Sequence, residues 1–170
     1  MRMLAGAILP ISSRSVIFLK DLSLGSMSTP HLNSSIAVLT LRLVLGFVFL
    51  MQGFGKVFTW GVEKVFQMDF FYDTYKDLLP EFLIRATAYY TSYVELIGGL
   101  LVVIGLKRDY ALYALASVLV IVTFGHGLAK PIWDLSHVMP RTILLVALLI
   151  LPKEYDVFSV DHFLKRRKGK

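Results

Sequence analysis

Between Ala86 and Leu106 the chain runs ATAYYTSYVELIGGLLVVIGL, long enough to cross a bilayer as a helix and carrying a single charge, Glu95. Nine residues in from Ala86, that carboxylate falls ~14 Å deep, near the middle of a ~30 Å hydrocarbon core. A bare carboxylate there is costly. It must be protonated, paired with a cation or turned to a wet cavity, and each outcome makes it a candidate functional group. Ser92, Glu95, Gly99 and Val102 recur at spacings of three and four, so the polar and small residues share one helical stripe. That stripe is expected to face other helices, because Gly and Ser let backbones approach closely while Leu, Val and Ile on the far side suit lipid.

Composition agrees with a membrane setting. The 170 residues are 56% hydrophobic with a mean hydropathy of +0.66, too apolar for an ordinary soluble domain of this length. Several spans use nearly all of it, and no separate soluble domain fits. There is no cysteine, which removes thiolate catalysis, disulfide exchange, iron–sulfur clusters and Cys-ligated zinc from the chain itself. No metal site is expected, and a redox role would need a bound cofactor or a partner. The net charge of +6 sits largely in the tail Lys165, Arg166, Arg167, Lys168 and Lys170, as is ordinary at membrane flanks, so nucleic acid is not an expected partner.

Residues Met1 to Pro30 hold an apolar run, Met3 to Leu9, too short to span and broken by Pro10. It reads as a secretory signal, as a transit peptide, or as an extension upstream of a working start at Met27, the last being preferred because MSTPHLNSS is a polar lead into the first span. Ile36 to Phe54 is that span, and Arg42, Gly46, Phe49, Gly53 and Lys56 follow one another at four, three, four and three, a stripe of two glycines and two cations that should meet the Glu95 stripe. Thr59 to Arg85 mixes Trp, Phe and Tyr with five acids, which suits a segment lying in the headgroup region. Lys107, Arg108 and Asp109 make a charged turn before the third span, Tyr110 to Leu128, and Pro140 and Arg141 open a short fourth, Val138 to Leu151. The expected fold is all-α: a poorly ordered extension over 1–33, a four-transmembrane-helix bundle over 34–152 with an aromatic-rich interfacial segment between its first and second spans, and a basic tail over 153–170.

Four spans put both termini on one side. Placing them in the cytoplasm leaves eleven Lys/Arg inside (Arg2, Arg14, Lys20, Lys107, Arg108, Lys153 and the five of the tail) against five outside (Lys56, Lys64, Lys76, Arg85, Lys130), the usual bias of a cytoplasmic membrane protein. On that orientation Arg42, twelve residues before Phe54, lies ~18 Å from the outer face, close enough to the depth of Glu95 to be its counter-ion. Arg141 is the second candidate. Gln52, Lys56, Tyr89, Tyr93, His126, Lys130, Trp133, His137 and Arg141 gather toward the outer half, so a ligand site would open outward.

These residues also carry a family resemblance. Arg42-Leu43-Val44-Leu45-Gly46-Phe47-Val48-Phe49 with Gly53 and Lys56 resembles the R-L-x-L-G-x-x-F-x-x-x-G-x-x-K opening of the DoxX/DoxD family, and Glu95-Leu96-Ile97-Gly98-Gly99-Leu100-Leu101 with Gly105-Leu106 resembles its E-x-x-G-G-x-x-L-x-x-G-L second helix. The similarity runs from about Ala37 to Leu151. It implies a four-helix bundle in a bacterial cytoplasmic membrane and a part in quinone-linked sulfur oxidation or another membrane redox complex, with Arg42, Lys56 and Glu95 as motif positions. Relatives that act as partners or stabilisers of other membrane proteins leave the chemistry open.

Two readings of the charge cluster follow. In one, Arg42, Glu95 and Lys56 bind a quinone-like ring or shuttle its proton while a redox protein partner supplies electrons, with Gln52, Tyr93, His126 and Arg141 lining the outer half. In the other, the charges form a structural ion pair within a non-enzymatic bundle that assembles or stabilises a partner membrane protein. Lys56 with Gln52 either receives an anionic or quinone head group or simply snorkels. His126 and His137 share no helical face, so haem ligation is not expected. A solute carrier is disfavoured by the lack of an internal repeat. The basic tail is expected to lie on anionic lipid.

Overall fold

The computed structural model describes residues 29–130 and 136–168, and the three readings of the N-terminal stretch, like Trp133, fall outside them. The chain divides into two compact units, Met1–Asn33 and Ser34–Lys170, and the following concerns the second. In chain order the elements are α1 (Thr29–Phe54), a π-helical segment (Gly55–Trp60), α2 (Val62–Phe66), α3 (Tyr72–Tyr75), α4 (Glu81–Ile104), α5 (Arg108–Ala129), α6 (Met139–Ile150), a short 3₁₀ turn (Lys153–Tyr155) and α7 (Val160–Lys168). No strand occurs among the described residues. Among the described residues, three helices are long and apolar enough to cross a membrane: His31–Trp60, Glu81–Ile104 and Arg108–Ala129. The fourth expected span is a shorter apolar helix of 12 residues, α6, whose ~18 Å falls well below a ~30 Å core.

Its burial pattern is the reverse of a water-soluble protein. Arg42, Lys56, Ser92, Glu95 and Arg108 are buried, while Phe47, Met51, Phe58, Ile97, Val120, Phe124, Ile143 and Ile150 are exposed along the long helices and α6. Large apolar side chains pointing out along every apolar helix find a favourable solvent only in lipid. The interior is filled by Leu45, Phe49, Val102, Leu112, Leu115 and Leu148, contributed by α1, α4, α5 and α6. Hydroxyls inside the helices turn back on their own backbone, Ser92 donating to Ala88 O at 2.6 Å and Thr123 to Leu119 O at 2.7 Å, so they leave no unmet donor in an apolar setting.

The two stripes read from the sequence pack against each other. A Cβ at Gly53 would lie 2.3 Å from Leu96 N, and one at Gly99 would lie 2.4 Å from Leu50 N, with Gly46 O at 3.0 Å. Backbone here touches backbone, which only glycine permits. The helix α4 then ends on Gly105 in the left-handed region, with Leu106 N donating to Leu101 O at 3.0 Å, the Schellman arrangement that satisfies the last carbonyls. Glycine is doubly required there, because a Cβ would also lie 2.4 Å from Arg42 Nη1 and 2.5 Å from Ser159 Cβ.

Thr59 to Arg85 forms two short helices instead of one continuous one. Phe66 of α2 packs with Ile84 and Ala88 of α4, and Phe71, Tyr72, Tyr75 and Leu79 close over them. The aromatics of this stretch thereby cover the start of α4. The segment 153–168 also differs from a free tail, since Asp156 and Asp161 bond back to the bundle. Gly53→Ala or Gly99→Ala should cost about 1–3 kcal/mol by forcing α1 and α4 apart. We expect a melting temperature several degrees lower for the purified protein, and no change for Gly55→Ala, whose Cβ would meet nothing within 4 Å.

Candidate functional site

The helix α1 does not stop at Phe54. It widens into six residues of π-helix, Gly55–Trp60, closed by Gly61 at φ +82°, and Lys56 is the buried residue of that segment. A π-helical turn holds an extra residue per hydrogen-bonded loop and recurs at functional sites because it re-aims side chains. Here the re-aimed group is the Lys56 ammonium, whose Nζ lies 2.7 Å from Glu95 Oε2, with the two side chains 11% and 2% exposed. Ser92 and Thr91, one turn away, are spent on Ala88 O and do not reach the carboxylate.

Arg42 is not the counter-ion of Glu95. Its Nη1 lies 2.6 Å from Asp156 Oδ1, its Nη2 donates to Phe158 O at 2.8 Å, and its guanidinium packs beneath Gly105. The expectation failed because it ended the first span at Phe54. The six further residues lengthen the segment by ~9 Å, and the fourteen-residue interval from Arg42 to Lys56 places the two cations ~21 Å apart along the helix. Gly105 in turn lies ten residues, ~15 Å, beyond Glu95 along α4. The three motif residues therefore belong to two sites at different depths, Lys56 with Glu95 in one and Arg42 in the other.

Above the first site, Arg141 Nη1 from α6 donates to Gln52 Oε1 at 2.8 Å, and its guanidinium lies 5.9 Å from the Phe49 ring. The second candidate counter-ion of the sequence analysis, Arg141, thus bonds to Gln52 and forms no ion pair with Glu95. His126 and His137 meet with their Nε2 atoms 3.3 Å apart, one ring donating and the other accepting. Sequence spacing had separated them; the return of the chain after α5 brings them together. Tyr93 does not line this region. It is exposed and pairs with Tyr89 at 6.4 Å between centroids, because two residues before Glu95 is ~200° around the helix. No group of three or more metal-ligating side chains occurs among the described residues.

The second site, absent from the sequence reading, is built on Asp156. Its Oδ1 takes Arg42 and its Oδ2 takes Arg108 Nη1 at 3.4 Å, while Arg108 Nη2 donates to Leu151 O at 3.2 Å. Asp109 holds Lys153 and lies 3.7 Å from Arg108 Nε, and Asp161 Oδ2 accepts Arg108 N at 3.2 Å. The signal available beforehand was the paired acids in Asp156-Val157-Phe158-Ser159-Val160-Asp161, which sit among bases and read as solvated. The two sites make a double-mutant cycle decisive. Melting temperatures of Lys56→Met, Glu95→Gln and the double variant should show about 1–3 kcal/mol of coupling, whereas Arg42→Gln with Glu95→Gln should be additive to within about 0.5 kcal/mol.

The DoxX family model matches residues 37–127, more than half of the chain. Comparison with curated proteins and with solved structures yields no match. The matched stretch contains Arg42, Lys56, Glu95 and all but the last two residues of α5. With its long apolar helices and its buried charges, the chain is an integral membrane protein belonging to the DoxX family.

Proposed function

We propose that this chain is a membrane subunit of a quinone-linked redox system, in which the Lys56–Glu95 pair holds and exchanges the proton that accompanies electron transfer from a partner protein. The observation that carries the reading is the buried carboxylate with an ammonium neighbour at 2.7 Å, two groups that both carry transferable protons. An intramembrane acid–base pair of this kind is where proton relays are built. A quinone ring, when bound, accepts two electrons and two protons. With both electrons supplied by the partner, Lys56 would give one proton to a carbonyl oxygen and a second, taken up from outside, would reach the other carbonyl oxygen by way of Glu95, while Arg141 and the Gln52 amide would orient the head group. His126 and His137, titratable and hydrogen-bonded to each other, stand near the start of α6 and suit exchange with the outside.

The proposal includes the topology. The helix α6 is too short to cross alone and forms the central part of a fourth crossing completed by the segments at its two ends: Arg141 near its start meets Gln52 and Leu151 at its end meets Arg108, so it runs between the levels of the two sites. Gln52 and Arg42 are ten residues apart on α1, as Arg141 and Leu151 are in sequence, ~15 Å in each case. The basic end with Lys107, Arg108, Lys153 and α7 faces the cytoplasm of a bacterial cell, and Thr59 to Arg85 lies in the opposite headgroup layer.

A second reading has its own observation. The pair sits at the tightest approach of α1 to α4, where Gly53 touches Leu96 and the Glu95 carbonyl carbon, so it could serve only to lock that crossing in a bundle that stabilises a partner membrane protein. The double variant Lys56→Gln/Glu95→Gln separates the two, because it removes both charges without stranding either. A redox role predicts near-normal abundance with quinone-linked electron transfer in host membranes reduced at least about tenfold. Unchanged transfer, together with no quinone in the protein purified in mild detergent, would sink the redox reading and leave the structural one.

A further inference from the structure

At the Asp156 end, a cleft of about 270 Å³ opens between the α4–α5 turn and α7, lined by Lys107, Arg108, Lys153, His162 and Lys165 together with Tyr110, Ser159 and three aspartates. Two of the aspartates are paired with cations, Asp156 with Arg42 and Arg108 and Asp109 with Lys153 and Arg108, while Asp161 accepts the Arg108 backbone N–H and keeps its charge. Lys107 and Lys165 form no ion pair with a carboxylate among the described residues, and the cations Lys107, Arg108, Lys153 and Lys165 exceed the three aspartates by one, with Arg42 on Asp156 adding a second positive charge.

Lys107 is also the one non-glycine residue with positive φ among those described, at φ 48° and ψ 44°. A side-chain-bearing residue adopts that backbone at a cost, and such strain persists where a side chain has to be held in a set place. Two residues after Gly105, which already turns the chain, nothing in the turn itself calls for a lysine. The position of the cleft supplies the remaining argument. It lies level with the C-terminal end of α4, the N-terminal end of α5 and the C-terminal end of α6, where apolar helix surface gives way to charge. Tyr110, Ile150, Phe158 and Phe163 are exposed around it, an aromatic and apolar rim suited to the acyl region beneath a headgroup.

We propose that this cleft binds the phosphate of an anionic phospholipid headgroup, with Lys107 and Lys165 as its ion partners and His162 as an additional donor. Its volume suits a headgroup and falls short of a drug-sized cofactor. The site seats the lipid against α7, so that occupancy fastens the C-terminal segment to the bundle through the same Arg42–Asp156–Arg108 network.

The test uses the full chain in nanodiscs of phosphatidylcholine with increasing phosphatidylglycerol, read by melting temperature and by native mass spectrometry of retained lipid. The wild type should retain phosphatidylglycerol and melt higher as its fraction rises. Lys107→Gly removes the charge while fitting the left-handed backbone without strain. The variant Lys107→Gly/Lys165→Gln should therefore melt at or above the wild type in pure phosphatidylcholine yet bind phosphatidylglycerol at least about tenfold more weakly. Arg166→Gln/Arg167→Gln, whose side chains lie outside the cleft, should bind as the wild type does. Equal affinity of the wild type and the Lys107/Lys165 variant overturns the site. Equal losses in both double variants replace it with a diffuse basic surface. Displacement of phosphatidylglycerol by millimolar inorganic phosphate assigns the cleft to free phosphate and overturns the lipid.

Discussion

An ammonium from the last turns of one long apolar helix and a carboxylate from within another, 2.7 Å apart and both withdrawn from solvent, set the terms for the rest of this protein. Neither charge is tolerable there alone, because each would forfeit its hydration with nothing in exchange. The pair is possible only where the helices that carry it come close, and they do so through Gly46, Gly53 and Gly99, where backbone lies against backbone. The π-helical turn at Gly55–Trp60 then sets the direction of Lys56. Close packing, helical irregularity and charge pairing are one arrangement seen at three scales.

A second charge network closes the opposite end. Arg42 and Arg108 flank one aspartate, and their Nη2 atoms donate to the carbonyls of Phe158 and Leu151. This ties α1, α5, the end of α6 and the segment leading to α7 to a single carboxylate. The two networks divide the labour. The Lys56–Glu95 pair joins two groups that carry transferable protons, whereas Asp156 spends both oxygens on guanidinium groups that stay charged at any physiological pH. Arg42 and Lys56 lie on one stripe of one helix, yet they serve different ends of the molecule.

Much of this was legible in residue spacing. The stripes Arg42-Gly46-Phe49-Gly53-Lys56 and Ser92-Glu95-Gly99-Val102 are buried along their whole length, and their glycines meet as the spacing required. Lys56 and Glu95 were both singled out; their pairing was not, because depth was measured from a helix end at Phe54 that the chain does not observe. His126 and His137 were set apart because they share no helix, and Tyr93 was drawn into the lining although its helical angle points it away from Glu95. Asp156 went unremarked, since an acid among bases near a terminus looks solvated from the sequence alone.

The sequence by itself determined that the chain is helical, that it belongs in a membrane, and which faces of α1 and α4 turn inward. Those properties follow from local composition and a fixed helical period, so they need no knowledge of what lies across the bundle. Tertiary structure alone decided which cation meets which anion. Arg42 and Asp156 are 114 residues apart, and their meeting depends on where each helix ends and how the last segment folds back. A shift of one turn in a helix end moves a charge by ~5 Å, more than the width of an ion pair, and no local pattern records it.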